Sequence, residues 1–313
     1  MLDETLLPWK LQYIPVTEVA GAVRAVKEMK TRAFGQVLTF LYAAALVARE
    51  NGGGAFEPLR EKLTELAERF TEARPTFGFR GILQRLLDRC EEGPPSGEVR
   101  KWAEEKIHEF IAAIVAGRER RARFAAELLP NPCQLMTHCN ISGELVAVAQ
   151  HCRALGKDLR VIATETRPYL QGSRLTAWEV ARAGIQVAVI PDCAIAQVMS
   201  GGGVNAVLVG SDRNARNGDV INKVGTYPLA LMAKEYGVPF YALVQDPGPL
   251  ATGEEVTIEE RPVHEFLNFQ GHSLAPHVTK GRYPSFDITP ARLISYLVGF
   301  DNALTPEDFR KKF

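Results

Sequence analysis

Polar and nucleophilic side chains cluster just after short apolar runs in the second half of the chain. These groups occupy residues 138–140, 165–172, 192–193, 211–213 and 217–226. They include the thiol of Cys139, the carboxyl of Asp212 and the ammonium of Lys223. A thiol and a carboxyl can transfer protons, and a lysine can bind an anion, so this set needs no metal. Cys139 could instead be a small core residue, and Asp212 could cap a turn.

The elements that would carry these side chains alternate between strands and helices. Apolar runs rich in β-branched residues predict strands at 134–137, 159–164, 186–190, 206–210 and 240–244, and helices at 143–155, 174–183, 194–200 and 222–236. Such alternation indicates right-handed crossovers and a parallel sheet, which binds ligands beyond the carboxyl ends of its strands. The helix at 222–236 would begin at Asn222 and Lys223. A helix start favours a phosphate, although a capping asparagine beside an exposed lysine is the alternative.

The sequence before residue 130 has helical periodicity almost throughout. We predict helices at 17–51, 56–70, 79–87 and 98–129, with three glycines ending the first and a linker at 91–97. The basic run at 118–123 is interpreted as a solvated helix face. The predicted fold is therefore α/β, with an N-terminal helical domain (1–129) followed by a Rossmann-like, doubly wound parallel-sheet domain (130–313).

Composition excludes several classes of protein. Lysine plus arginine number 37, as do aspartate plus glutamate, so a general basic field for nucleic acid is absent. The longest apolar stretches fall short of the roughly 20 residues that span a bilayer. The five cysteines show neither a disulfide framework nor zinc-ligand spacing. We expect a cytoplasmic protein that needs no metal or cofactor and binds neither nucleic acid nor membrane.

Several longer motifs resemble one family. THCN at 137–140, TETRPYLQGSRLTAWE at 164–179, GSDRNARNGDVINKVGTY at 210–227 and PSFDITPARLIS at 284–295 are similar to segments of the methylthioribose-1-phosphate isomerases. That family is grouped with the ribose-1,5-bisphosphate isomerases and with the α, β and δ regulatory subunits of eukaryotic translation initiation factor 2B. The resemblance covers nearly the whole chain.

The resemblance implies roles for particular residues. Cys139 and Asp212 match the family's catalytic cysteine and aspartate, the latter being the proton donor. The substrate- and phosphate-binding positions match Arg32, Arg74, Gln171, Asn222 and Lys223. Because the two arginines come from the helical domain, the pocket would lie between the domains. The resemblance also suggests a homodimer.

The implied reaction is the aldose–ketose isomerisation of a pentose that carries phosphate at C1. The phosphate prevents spontaneous ring opening, so an acid near the ring oxygen and a base near C2 are needed. The apolar run before Asp212 predicts a low dielectric that raises the pKa of its carboxyl. A helix start near Cys139 would lower the pKa of the thiol.

Three loops differ from the family pattern. Residues 32–35 place Ala33 where the family has glycine, residues 141–144 replace a turn of small residues, and residues 245–249 replace a loop containing serine and threonine. The group at C5 of the sugar therefore stays open, with S-methyl-5-thioribose 1-phosphate and 5-deoxyribose 1-phosphate as candidates. The alternatives are a ribose-1,5-bisphosphate isomerase and a non-catalytic regulatory protein that binds a sugar phosphate or nucleotide.

Overall fold

The chain forms two compact units, Met1–Ala116 and Gly117–Phe313. The computed structural model describes residues 1–51, 55–75, 77–90, 98–269, 271–277 and 280–313. The predicted glycine stop at 52–54 and the predicted linker at 91–97 lie outside these residues. The long helix α5 begins in the first unit and ends in the second, whereas the domain boundary expected at 129/130 follows that helix.

The first unit is built from helices. They are α1 Val19–Lys27, α2 Phe34–Asn51, α3 Phe56–Ala73, α4 Phe79–Asp88 and the start of α5 Val99–Leu128. Of these, α2 is buried on most sides. The rings of Phe40, Phe70 and Phe79 meet at the centre of the core, with centroids 5.1–5.4 Å apart. The single helix predicted at 17–51 is wrong. It is divided in two, and Met29 and Ala33 adopt left-handed φ values of 55° and 43° in the connection.

The second unit is an α/β unit. Its strands are β1 Cys133–Thr137, β2 Leu159–Thr164, β3 Val187–Ile190, β4 Ala206–Val209, β5 Arg213–Asn214, β6 Val220–Lys223, β7 Phe240–Leu243, β8 Asn268–Phe269, β9 His272–Ser273, β10 Phe286–Thr289, β11 Tyr296–Val298 and β12 Ala303–Leu304. Its further helices are α6 Glu144–Ala154, α7 Ala177–Arg182, α8 Ile195–Ser200, α9 Thr226–Glu235, α10 His264–Leu267 and α11 Pro306–Lys312. A π-helical turn, Gly172–Thr176, precedes α7.

The main sheet runs in the order β12-β11-β7-β4-β1-β2-β3, and all neighbours are parallel except β11 and β12. The predicted doubly wound α/β fold is confirmed. Strands β2 and β3 lie in succession on one side of β1, and β4 lies on the other side of β1. This reversal puts the switch point, where such sheets bind ligands, at the carboxyl ends of β1 and β4. Cys139 follows β1, and Asp212 follows β4.

Strands β5 and β6, which follow β4 in the chain, form a small antiparallel sheet with the later strand β10, in the order β10-β6-β5. In its register, Phe286 lies opposite Lys223 and Asp287 opposite Asn222. The helix predicted at 222–236 therefore begins too early, because Asn222 and Lys223 end strand β6 and α9 starts at Thr226. Gly225, at φ 108°, makes the turn between the two elements, in a conformation that favours glycine.

The basic run on α5 is only partly a solvated face. Arg121 is buried and forms a two-pronged ion pair with Glu144 at the start of α6, at 2.6 and 2.7 Å. Arg118 adds a contact of 3.0 Å to the same carboxylate, and Arg121 also donates to the carbonyl of Val244. The interpretation of 118–123 as fully solvated is thus wrong for these two arginines. Glu144, part of the divergent loop, serves to join α5 to α6.

Candidate functional site

The backbone after β1 is strained at Cys139. This residue adopts a left-handed φ of 67°, which is uncommon outside glycine, and its side chain is half-buried. Its N–H donates to Oγ1 of Thr166 at 2.9 Å, and its carbonyl accepts from Oγ1 of Thr176 at 2.6 Å. Both partners lie on the segment after β2, so that segment fixes the cysteine in place.

Thr166 is strained as well. Its φ is 63°, an outlier for a β-branched residue. The carboxylate of Asp192 holds this backbone by accepting from the N–H groups of Thr166 and Arg167 at 2.8 and 2.7 Å. Backbone conformations of this kind cost about 1–3 kcal/mol each and concentrate at functional sites. Two of them in contact at adjacent strand ends mark this edge of the sheet as the candidate site.

Asn140 connects two of the sequence motifs. Its Nδ2 donates to Oε2 of Glu179 at 2.9 Å, and the same oxygen accepts from the N–H of Gly143 at 3.2 Å. Oδ1 of Asn140 accepts from the N–H of Ser142. The asparagine of THCN and the glutamate of QGSRLTAWE therefore shape the loop beside Cys139.

His138 links three segments as a neutral side chain. Its Nε2 lies 2.9 Å from the carbonyl oxygen of Val224, which can only accept, so Nε2 carries the proton. Nδ1 then accepts from Oγ1 of Thr164 at 2.6 Å. Burial lowers the pKa of His138, which favours this neutral form. A Cβ at Gly225 would lie only 2.6 Å from the imidazole, so the turn after β6 needs a glycine here.

Gln171 begins the π-helical turn and is buried. The next residue, Gly172, packs so closely on β2 that a Cβ would lie 1.7 Å from the carbonyl oxygen of Thr164. Oε1 of Gln171 accepts no hydrogen bond from the described residues. A buried acceptor without a partner costs about 1–3 kcal/mol, so this oxygen is suited to a ligand donor.

Lys223 is buried on β6, and its Nζ donates to the carbonyl of Ser285 at 2.7 Å. The rings of Tyr169, Tyr283 and Phe286 lie within 4.8–5.9 Å of the ammonium. Nδ2 of Asn222 donates to Oγ1 of Thr226 at 3.0 Å. This pair was expected to bind an anion at the start of a helix. The structure instead presents it on a strand, with the lysine held by aromatic faces.

Sequence reasoning missed Asp287, which lies opposite Asn222. Oδ2 of Asp287 accepts from the N–H groups of Gly225 and Tyr227 at 2.7 and 3.1 Å, which fixes the turn after β6. Burial raises the pKa of Asp287 to about 6, although those N–H groups and the charge of Lys223 act against the rise. The available signal was the FDITP string, whose aspartate stands within an otherwise apolar run.

Asp212 follows β4, and its N–H donates to the carbonyl of Ile221 at 3.0 Å. Nε2 of Gln245, from the divergent loop, donates to the carbonyl of Asp212 at 3.3 Å. The side chain of Asp212 is exposed. The expectation of a low-dielectric environment around this carboxyl is therefore wrong, because an apolar strand before a residue does not bury that residue.

Four of the predicted residues, Cys139, Gln171, Asn222 and Lys223, lie on three segments that contact one another. His138 contacts Val224, Cys139 binds Thr166, and the ammonium of Lys223 lies over the ring of Tyr169. Asp212 follows the strand next to β1. Arg32 and Arg74 belong to the first unit, where both are half-buried. Ala33 keeps a left-handed φ at the position where a glycine was expected.

Two features of the described residues bear on other functions. Within those ranges no group of three or more histidine, cysteine, aspartate or glutamate side chains could hold a metal ion. None of the helices in the described part of the chain is both long and apolar enough to cross a membrane.

The model of the initiation factor 2 subunit family matches residues 34–299. Among curated proteins, the methylthioribose-1-phosphate isomerase of Desulforudis audaxviator is 36% identical, over 98% of this chain and 91% of its own length. The methylthioribose-1-phosphate isomerase of Pelotomaculum thermopropionicum is 33% identical, over 99% and 90%.

Solved structures give two kinds of neighbour. The crystal structure of 5-methylthioribose 1-phosphate isomerase from Pyrococcus horikoshii has a TM-score of 0.86 and 30% identity, covering 99% of this chain and 90% of that one. The delta subunit of translation initiation factor eIF-2B from A. fulgidus has a TM-score of 0.82 and 32% identity, covering 98% and 93%. Similarity of fold alone thus does not separate an enzyme from a translation factor.

Proposed function

This chain belongs to the initiation factor 2 subunit family, and from that premise we propose that it converts S-methyl-5-thioribose 1-phosphate into S-methyl-5-thioribulose 1-phosphate. The observation that carries the proposal is the near-full-length identity of 36% and 33% with curated isomerases. The strained cysteine beside the switch point of the sheet agrees with a catalytic rather than a purely regulatory role.

The proposed mechanism divides the work among residues of the second unit. Asp212 protonates the ring oxygen, which opens the sugar. Cys139 takes part in the transfer of hydrogen from C2 to C1. Lys223 and Asn222 bind the phosphate, and Gln171 accepts a hydrogen bond from a sugar hydroxyl through its buried Oε1.

Arg32 and Arg74 complete the proposed substrate-binding set through the family resemblance. We assign no cofactor to the reaction, because the isomerisation moves hydrogen within one molecule and has no net redox change. The protein is further proposed to act as a homodimer in the cytoplasm. The absence of nucleic-acid binding is also part of the proposal and is supported by the zero net charge.

The decisive experiment compares three substrates. The purified protein is incubated with S-methyl-5-thioribose 1-phosphate, 5-deoxyribose 1-phosphate or ribose 1,5-bisphosphate, and formation of the ketose is followed by NMR. We expect the methylthio sugar to give the highest kcat/KM. Preferential turnover of either other sugar would move the assignment to that substrate. No turnover of any of them would favour a regulatory role like that of the translation factor subunits.

A further inference from the structure

Tyr283 carries a buried hydroxyl that no feature of the fold explains. The residue precedes β10 and is only 5% exposed. Its Oη makes no hydrogen bond to any residue in the described ranges. Burying a hydroxyl without a partner costs about 1–3 kcal/mol, a cost that phenylalanine would avoid at the same position.

The ring of Tyr283 belongs to an aromatic wall, formed by Tyr169, Tyr283 and Phe286 around the ammonium of Lys223. The rings of Tyr169 and Tyr283 each lie 5.9 Å from Nζ, and that of Phe286 lies 4.8 Å away. The rings explain how the wall holds the lysine, since a cation is attracted to aromatic faces. The rings do not explain why Tyr283 carries a buried hydroxyl, because phenylalanine would offer the same aromatic face.

The two tyrosines of the wall differ in what their hydroxyls contact. Oη of Tyr169 donates to Glu265 and accepts from Nη2 of Arg261 at 3.0 Å. This hydroxyl belongs to an ion-paired cluster, because Arg261 also binds Glu265. Tyr283 has no comparable contact, so its hydroxyl is the polar group of the wall that remains for a ligand.

The surroundings of Tyr283 identify it as a donor close to the reacting groups. Burial raises the pKa of Tyr283, and the negative charges of Tyr169, Glu265 and Cys139 act in the same direction. The phenol therefore keeps its proton at neutral pH and can donate it in a hydrogen bond. The ring of Tyr283 lies 6.5 Å from that of Tyr169. Tyr169 stands on the segment after β2, where Thr166 accepts from the N–H of Cys139. Oε1 of Gln171, on the same segment, is a second buried atom without a partner among the described residues.

We propose that Oη of Tyr283 donates a hydrogen bond to the sugar oxygen at C2 of the bound substrate. This inference rests on the proposed function. The contact of its ring with Lys223, which is proposed to bind the phosphate on C1, suits the oxygen on the adjacent carbon. The hydroxyl at C2 must lose its proton to become the ketone oxygen of the product, and a donor at this oxygen stabilises the negative charge that it carries during that loss. Tyr283 is thereby a catalytic residue.

The test compares Tyr283→Phe with a matched variant, Tyr241→Phe. Tyr241, on strand β7 of the main sheet, is also buried, at 7% exposure. Its Oη, however, donates a hydrogen bond to the carbonyl of Leu128 at 3.4 Å. Both changes remove one hydroxyl and keep the ring. Steady-state kinetics with S-methyl-5-thioribose 1-phosphate and melting temperature are measured for both variants and for the wild type.

We expect the two variants to behave in opposite ways. Tyr283→Phe should lower kcat by about 10- to 100-fold, the range of one hydrogen bond to a charged group, with an unchanged or higher melting temperature. Tyr241→Phe should keep wild-type kinetics and melt at a lower temperature.

Two results with Tyr283→Phe would overturn the inference. One is kinetics like those of the wild type. The other is a fall in melting temperature as large as that of Tyr241→Phe, which would reveal a structural partner for the hydroxyl. Failure of the proposed function is distinguishable, because the wild type itself would then leave the substrate unconverted, and the inference would fall with it.

Discussion

Replacement of Asp287 by asparagine should change how stability depends on pH. Burial raises the pKa of this carboxyl from an ordinary value of 3.8 to about 6 in the folded protein. A tenfold change in an equilibrium is about 1.4 kcal/mol, so the ionised carboxyl costs about 3 kcal/mol of folding free energy. Because the folded state holds the proton more tightly, the stabilising contribution is present below pH 3.8 and is lost as pH rises through about 6.

The asparagine variant lacks this dependence but keeps the contacts of the turn. Both backbone N–H groups donate to Oδ2, so a single amide oxygen can accept both. Relative to Asp287→Asn, the wild type should gain about 2 kcal/mol in unfolding free energy when pH falls from 7.5 to 4.5. Taking the difference in unfolding free energy between the two proteins cancels the contributions of the other titratable groups, which both proteins share. One of these groups is His138, whose pKa is lowered by burial. Because the unfolded state then binds a proton more readily, this histidine destabilises the folded state as pH falls.

The assay is urea unfolding followed by circular dichroism at pH 4.5, 6.0 and 7.5 for both proteins. The slope against urea should be the same for both, since the surface exposed on unfolding is unchanged. A difference in unfolding free energy that stayed constant across this range would refute the reasoning. It would mean that Asp287 is ionised over the whole range and that water or a charge offsets its burial.

The remaining predictions concern the site itself. Cys139→Ser and Asp212→Asn should each lower kcat about 10²- to 10⁴-fold with little change in melting temperature, and the double variant should be barely worse than the more impaired single one. Lys223→Ala should raise KM by the equivalent of about 1.5–3 kcal/mol, through loss of a charge-assisted phosphate contact. Gly172→Ala should lower both stability and activity, because its Cβ would meet the carbonyl oxygen of Thr164 at 1.7 Å.

Matched variants separate these effects from general damage. Cys193→Ser removes an exposed thiol, Lys234→Ala removes an exposed ammonium on α9, and Gly81→Ala adds a methyl group in α4 where nothing lies within 4 Å. Each should behave like the wild type in kinetics. Near-wild-type kcat in both single variants of the catalytic pair, or wild-type KM in Lys223→Ala, would contradict the corresponding role.

Much of the fold could be predicted because its signals are local. The parallel strands are short and mostly apolar, since helices cover both faces of the sheet, and glycines and prolines mark several of their ends. The observed bounds of β2, Leu159–Thr164, equal the predicted ones. The element at Val220–Lys223 was assigned wrongly, because a short polar strand has no periodicity that separates it from a helix start.

The sequence by itself determined which residue types stand at the ends of which strands, and hence that Cys139 and Asp212 are candidates for the site. That β1 and β4 are neighbours at the switch point follows only from the fold. Only the tertiary structure decided the environment of each group. Asp212 is exposed after an apolar strand, and Asp287, on β10, accepts from the turn after β6. The hydroxyl of Tyr283, whose ring lies beside Lys223, has no partner among the described residues. The physical reason is that burial, hydrogen bonding and charge arise from segments distant in the chain. The positions of the strands along the chain, in contrast, depend on patterns that neighbouring residues already carry.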